Sequence, residues 1–266
     1  MKLGELLIEG GNAIKGSRPV SQAEGNRVIN QMTRFLFDSI PGIEVVAVGS
    51  AGRKPDGTSG DVDLAVKLPQ KVTPEILTTM LKKHFSEVRH MPGINTISLA
   101  FKLKADEFAQ VDLMIVPDVE YAAWSLIPSH GDLAKGLKAA HKNELLYAIA
   151  KYADYNEHET GRTRHWFDLT RGILKGDQLK KGEDTWETVG EKEVISTSPK
   201  KIVKMLFGDS FDYLKLRSFD DILNAIMSPN FKYHKHVHDI LKMAAEGIKN
   251  KKLEVPQSLR NQLSEN

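Results

Sequence analysis

Apolar residues recur along the first 150 residues with two periods, one typical of strands and one typical of helices. Short runs rich in β-branched residues predict strands. These runs lie at 45–48, 61–66, 88–90, 95–103 and 108–116, with a turn expected at Pro92-Gly93. Apolar positions three and four residues apart predict helices, at 21–40, 73–85, 119–127 and 132–150. We therefore expect an α+β fold in which helices pack on one face of a small mixed β-sheet.

After residue 150 the chain becomes more polar, and its last part predicts helices. Residues 152–163 are poor in aliphatic side chains and predict a hairpin-like connection. Residues 176–192 are charged and glycine-rich and predict a loop or domain edge. Helical stretches follow, beginning near Ser198 and at about 218–227 and 232–249. The end of the chain is thus expected to be mainly helical.

Three aspartates fall where strands are expected. Asp61 and Asp63 are two residues apart, so a strand would project both side chains from the same face. Asp112 is the only charge in the apolar run 108–116. A carboxylate in a buried strand is costly unless it is paired or binds a cation. Carboxylate oxygens on neighbouring strands therefore predict a divalent-metal site of the kind that suits Mg²⁺.

A glycine-serine turn precedes the aspartates. Gly49 and Ser50 directly follow the strand predicted at 45–48. A glycine there lets backbone N–H groups approach phosphate, the serine hydroxyl can donate a hydrogen bond, and the planar guanidinium of Arg53 can bind phosphate. Each motif alone is also typical of an ordinary turn or helix cap. Their order and spacing together favour a site for phosphoryl transfer.

These motifs resemble the nucleotidyltransferase superfamily, and within it most closely the catalytic palm of the family X (polymerase β-like) DNA polymerases. The resemblance covers about residues 43–145, roughly half the chain. The matching segments are Gly49-Ser50-Ala51-Gly52-Arg53, Ser59-Gly60-Asp61-Val62-Asp63 and Val111-Asp112-Leu113.

The resemblance implies an activity and a set of site residues. The activity is two-metal transfer of a nucleoside monophosphate from an NTP or dNTP to a hydroxyl acceptor, with release of pyrophosphate and a nucleic-acid 3′-end as the favoured acceptor. Asp61, Asp63 and Asp112 would be catalytic and would bind Mg²⁺ or Mn²⁺, with Asp112 as the base near the attacking hydroxyl. The residues implied to bind the nucleotide are Gly49, Ser50, Arg53, Ser59 and Gly60.

The chain is expected to have four regions. They are an N-terminal segment and helix at 1–42, a palm-like catalytic domain at 43–150, a connecting region at 151–194 and a helical region at 195–266. Two other functions stay open: modification of a protein or small molecule by the same fold, and a non-catalytic module that binds nucleotide or nucleic acid. The presence of all three aspartates favours catalysis.

Composition narrows the class of protein. The chain has 266 residues, of which 41% are hydrophobic and 27% charged, and a net charge of +2 that is compatible with an anionic substrate. It has no cysteine, which excludes disulfides and thiolate-bound zinc. Residues 1–11 include two glutamates, unlike a signal peptide, and no apolar run has membrane-spanning length. A cytoplasmic protein without a membrane partner is expected.

Two further clusters of residues have both a structural and a functional interpretation. Arg162, Arg164 and Trp166 belong to a basic, aromatic patch that predicts either a solvated turn with a buried tryptophan, the favoured interpretation, or a site for a nucleobase or nucleic acid. His234 and His238 have an i, i+4 spacing that can bind zinc. Because zinc needs three or four ligands, a polar helix face is favoured there.

Overall fold

The computed structural model describes residues 13–54, 57–90, 95–152, 156–158, 161–182 and 185–264. The chain forms two compact units, Met1–Ala123 and Trp124–Asn266. Both contain helices and strands, so the expected α+β class is confirmed. The catalytic domain expected at 43–150 crosses the boundary between these units. The turn expected at Pro92-Gly93 lies outside the described residues.

The first unit contains a five-stranded mixed sheet. Its strands have the order β2-β4-β7-β6-β5, in which β4 and β7 are parallel and the other neighbours are antiparallel. The strands are β2 (Glu44–Val48), β4 (Val62–Lys67), β5 (Val88–His90), β6 (Thr96–Lys104) and β7 (Glu107–Ile115). A separate short pair joins β1 (Val20–Ser21) to β3 (Thr58–Ser59). The predicted strands are thus confirmed to within about one residue.

Two helices of this unit, α1 (Gln22–Ser39) and α2 (Pro74–Leu81), contribute to the core beneath the sheet. Ser21 caps α1 in a capping box with Glu24, as the sequence predicts. Val62 and Leu64 of β4 are fully buried in this core. Because strand residues alternate between faces, Asp63 lies on the opposite face of the sheet.

The second unit is mainly helical outside one sheet. Its helices are α4 (His130–Ala134), α5 (Ala139–Ala150), α6 (Pro199–Phe207), α7 (Phe219–Met227), α8 (Val237–Asn250) and α9 (Gln257–Ser264), and α3 (Val119–Leu126) spans the boundary between the units. The single helix predicted at 132–150 is wrong. Gly136, with a φ of +72°, lies between α4 and α5, in a conformation that interrupts a right-handed helix.

The histidine pair does not share one helix. His234 lies in a 3-10 turn, His234–His236, and His238 lies in the first turn of α8. The i, i+4 spacing therefore does not place the two side chains on one α-helical face, as it would in a zinc-binding helix.

The second unit also contains a four-stranded antiparallel sheet of order β11-β10-β9-β8. Its strands are β8 (Asn156–His158), β9 (Gly161–Asp168), β10 (Gly172–Lys180) and β11 (Trp186–Ser196). The loop predicted at 176–192 is therefore wrong, and so is the turn predicted at 162–166. Most side chains of β11 are exposed, so the alternation of apolar and polar residues that identifies a half-buried strand is missing there.

No helix within the described ranges has both the length and the apolar character needed to cross a membrane.

A buried lysine joins several segments of the second unit. Lys142 of α5 is 1% exposed. Its ammonium donates hydrogen bonds to the carbonyl oxygens of Trp124 (2.6 Å), Ile127 (3.3 Å) and Arg217 (3.3 Å). Burial lowers the pKa of Lys142 to about 8, because the charged form loses hydration that three carbonyls only partly replace.

This lysine should make stability depend on pH. Between about pH 8 and the ordinary lysine value of 10.5, the folded protein holds fewer protons at Lys142 than the unfolded chain does. The free energy of unfolding should therefore rise with pH across this window, by about 1.4 kcal/mol per unit at most. Urea unfolding at pH 7.5 and 9.5 measures the change. Lys142→Met should lose this rise in the free energy of unfolding, and Lys201→Met, an exposed control, should keep it. An equal rise in both variants would show that Lys142 is not its source.

Candidate metal centre

Asp61, Asp63 and Asp112 converge near the start of β4, one of the inner strands of the first unit's sheet. Each offers a carboxylate oxygen, and these oxygens lie within 4.8 Å of one another. Asp63 and Asp112 are register partners on the parallel strands β4 and β7. Asp61 stands just before β4, two residues from Asp63. The three predicted ligands are thus positioned to bind a metal ion.

The electrostatics of this cluster favour a cation. All three aspartates are half-buried. Burial, and then the charges of Asp61 and Asp112, raise the pKa of Asp63 well above its usual range. Burial also raises the pKa of Asp112, against hydrogen bonds that favour its charged form. A bound cation would offset both repulsion and lost hydration, and a ligand set made only of oxygen suits a hard divalent ion.

Gln110, which sequence analysis did not assign to the site, holds Asp112. Its amide nitrogen lies 3.1 and 2.9 Å from the two carboxylate oxygens of Asp112 and donates to them. Its amide oxygen accepts hydrogen bonds from the backbone N–H groups of Ala13 (2.9 Å) and Ile14 (3.0 Å). Gln110 is 2% exposed. It therefore fixes the orientation of Asp112 and joins residues 13 and 14 to the sheet.

Ser98 is the second partner that sequence analysis missed. It lies on β6 directly opposite Asp112, and its side chain hydrogen-bonds to that carboxylate. The signal for Gln110 was present in the sequence, because Gln110 and Asp112 are two residues apart on one strand and so share a face. Ser98 had no comparable signal, since the pairing of β6 with β7 fixes its position.

The predicted Gly49-Ser50 turn lies against the metal centre. Val48, the last residue of β2, pairs with Asp63. Gly49 follows with a φ of +65°, and a Cβ atom on it would stand 2.3 Å from Oδ2 of Asp63. This position requires glycine for both its backbone conformation and its lack of a side chain.

Two serines that the resemblance implies as nucleotide-binding residues come together beside this turn. The hydroxyl oxygens of Ser50 and Ser59 lie 3.1 Å apart. Ser59 belongs to β3, whose pairing with Val20 of β1 holds it in place. Gly60, the next residue, is exposed and immediately precedes Asp61. The structure thus brings hydroxyl groups near the backbone of the predicted phosphate-binding turn.

Arg53 is directed toward backbone carbonyls in this structure. Its guanidinium donates to the carbonyl oxygens of Ala47 (2.7 Å), Val48 (3.3 Å) and Gly49 (3.4 Å). Burial lowers its pKa, although arginine remains charged at any physiological pH. These bonds stabilise the turn after β2. The role of Arg53 as a phosphate ligand stays a prediction.

Comparison of the chain with models of protein families and with curated proteins found no match. The chemistry of the site is therefore inferred from its own residues.

Gly49→Ala should weaken metal binding beyond any loss of stability. The added methyl group would meet the Asp63 carboxylate, in addition to the strain of about 1 kcal/mol from the positive φ. Gly42→Ala is the matched control, because Gly42 has a φ of +82° and its Cβ would approach only Pro69, at 4.0 Å. Mn²⁺ titration followed by electron paramagnetic resonance should show at least about tenfold weaker binding for Gly49→Ala alone. Equal Mn²⁺ affinity in the two variants would contradict the proposed contact.

Gln110→Leu should remove the hydrogen bonds that orient Asp112. The leucine cannot donate to the carboxylate, and it leaves the part-buried N–H of Ala13 and the buried N–H of Ile14 without their acceptor. We expect a loss of about 1–3 kcal/mol in the free energy of unfolding and about 10- to 100-fold weaker Mn²⁺ binding. Denaturant unfolding and Mn²⁺ titration measure the two effects. Unchanged affinity in a folded variant would show that Gln110 does not position Asp112.

Proposed function

We propose that this protein is a metal-dependent nucleotidyltransferase with a polymerase β-like palm. It would transfer a nucleoside monophosphate from an NTP or dNTP to a hydroxyl acceptor, with a nucleic-acid 3′-end as the favoured acceptor. The observation that carries the proposal is the convergence of Asp61, Asp63 and Asp112 beside the Gly49-Ser50 turn. The mixed sheet with helices on one face supports it, because the resemblance implies the same arrangement.

The carboxylates account for the need for metal. Asp61, Asp63 and Asp112 would hold Mg²⁺ or Mn²⁺, since their oxygens form a hard ligand set. When bound, these ions neutralise triphosphate charge and favour ionisation of the attacking hydroxyl. The protein contributes the fixed spacing of the carboxylates, which the register of β4 with β7 sets before substrate binds.

The proposed reaction is an in-line substitution at the α-phosphorus of the nucleotide. The acceptor hydroxyl oxygen forms a new bond to that phosphorus, and the bond from the phosphorus to the bridging oxygen of the β-phosphate breaks, which releases pyrophosphate. The proton of the hydroxyl passes to the Asp112 carboxylate and then to water. Gln110 and Ser98 orient Asp112 for this transfer.

The turn after β2 accounts for the binding of the triphosphate. Gly49 has no side chain to keep phosphate from the backbone N–H groups, which can donate to its oxygens. The hydroxyls of Ser50 and Ser59 supply further donors in the same place. Arg53 holds the carbonyl groups of the turn, so that the turn is organised before nucleotide arrives.

Loss of one carboxylate should abolish turnover. Asp61→Asn, Asp63→Asn and Asp112→Asn each remove a charged ligand at nearly constant volume, so pyrophosphate release should fall about a hundredfold or more. Asp106→Asn, in the exposed turn between β6 and β7, is the control and should keep full activity. The assay uses each common NTP and dNTP with Mg²⁺ or Mn²⁺ and with single-stranded, primed or gapped nucleic acid.

The outcome also identifies the acceptor. Release that needs both Asp112 and a nucleic-acid end supports the favoured acceptor, whereas release with a protein or small-molecule hydroxyl supports the same chemistry on another acceptor. Wild-type turnover by a folded Asp112→Asn variant would refute the catalytic assignment.

A further inference from the structure

The second unit contains a pocket that the proposed chemistry does not use. It has a volume of about 770 Å³, within the range of ligand sites in proteins. We call it the basic pocket. Its lining residues are Lys151, Tyr152, Arg162, Arg164, Tyr233, His236 and Met243. Four of these seven carry or can acquire positive charge, and none of the described lining residues is acidic, which indicates an anionic ligand.

The pocket is built from regular elements. Lys151 and Tyr152 follow the end of α5, the two arginines lie on β9, and Met243 lies on α8. The rings of Tyr152 and His236 stack with centroids 5.1 Å apart and an angle of 24° between their planes. Such a preorganised aromatic pair next to cations suits a ligand that combines phosphate with a planar base.

The acidic side chains that the structure describes near the pocket do not line it. Burial and then the charge of Arg164 lower the pKa of Lys151, while Glu144 and Glu246 act in the opposite direction. The carboxylate of Glu144 is paired with Lys251 at 2.6 Å. Asp239 interacts electrostatically with Tyr152 but does not line the pocket. Among the residues that the structure describes, the lining of the pocket is therefore cationic.

The two arginines connect the pocket to a row of aromatic rings on the sheet. The guanidinium carbon of Arg162 lies 4.0 Å from the ring centre of Trp186 on β11, and that of Arg164 lies 5.8 Å from Trp166 on β9. The ammonium of Lys192 lies 4.2 Å from the same Trp166 ring. Both tryptophans are partly buried. Cations and aromatic faces thus alternate across β9 and β11, and this surface is continuous with the pocket through its arginines.

We propose that the basic pocket and this aromatic row together bind single-stranded nucleic acid. Phosphates would contact Lys151, Arg162 and Arg164, and unstacked bases would stack on Tyr152 and Trp186. A single strand fits better than a duplex, because stacking on aromatic side chains needs bases that are not already paired and stacked. An acidic peptide would satisfy the cations but would not use the rings.

The test is equilibrium binding of fluorescein-labelled 12-nucleotide oligo(dT) and oligo(U), followed by anisotropy. The binding buffer contains EDTA and no nucleotide, so the measured affinity is independent of nucleotidyl transfer. Binding without turnover would uphold this inference even if the proposed function failed. Binding should be saturable, and log affinity should fall with log salt by about 0.7 for each phosphate contact.

Three variants locate the site. Arg162→Gln/Arg164→Gln should weaken oligo(dT) binding at least about tenfold and reduce the salt dependence. Lys200→Gln/Lys201→Gln removes the same charge from exposed positions of α6 and should change affinity by less than about twofold. Trp186→Leu, which keeps the charge, should weaken binding of oligo(dT) but not of an abasic strand of the same length. Circular dichroism confirms that each variant is folded.

Several results would overturn the proposal. They are the absence of saturable binding, equal weakening in the two double variants, tighter binding of a duplex than of the single strand, and competition by poly-glutamate as strong as that by oligo(dT). The last result would identify an acidic protein segment as the better ligand. An unchanged affinity of Trp186→Leu for oligo(dT) would remove the stacking part of the inference.

Discussion

Three carboxylates held within 4.8 Å of one another and half-buried destabilise a fold unless a cation or fixed hydrogen bonds offset their repulsion. The first unit is arranged around this constraint. Parallel pairing of β4 with β7 places Asp63 next to Asp112, and Gly49 leaves room for the Asp63 carboxylate. Gln110 then fixes Asp112 through one buried amide. The same arrangement that makes the cluster unfavourable without metal makes it a preorganised metal site.

Much of the first unit could be predicted from sequence because its signals are local. Asp61, Val62 and Asp63 alternate between polar and apolar, which places the candidate metal ligands on one face of the strand and the core residue on the other. The capping box of α1 lies within four residues of sequence. Ser98 could not be predicted as a partner of Asp112, because only strand pairing brings it there. Gln110 had a local signal, but its hydrogen bonds to residues 13 and 14 did not. Those contacts depend on topology, which short motifs do not encode.

The second unit was harder to predict for a different physical reason. The strands β10 and β11 are stabilised by their backbone pairing while most side chains of β11 stay in solvent, so their sequence resembles a charged loop. The helix predicted at 132–150 satisfied the apolar period but is broken near Gly136, whose positive φ no periodicity reveals. Buried Lys142 could not be predicted either, since its carbonyl partners lie 15, 18 and 75 residues away in sequence.

We propose that Asp61, Asp63 and Asp112 form a divalent-metal site that serves nucleotidyl transfer. Anomalous diffraction from crystals grown with Mn²⁺ and a non-hydrolysable nucleoside triphosphate tests it most directly. We expect manganese bound by all three carboxylates, with the triphosphate at the Gly49-Ser50 turn. Ordered carboxylates without manganese in the same crystals, or manganese and nucleotide bound elsewhere in the chain, would contradict it.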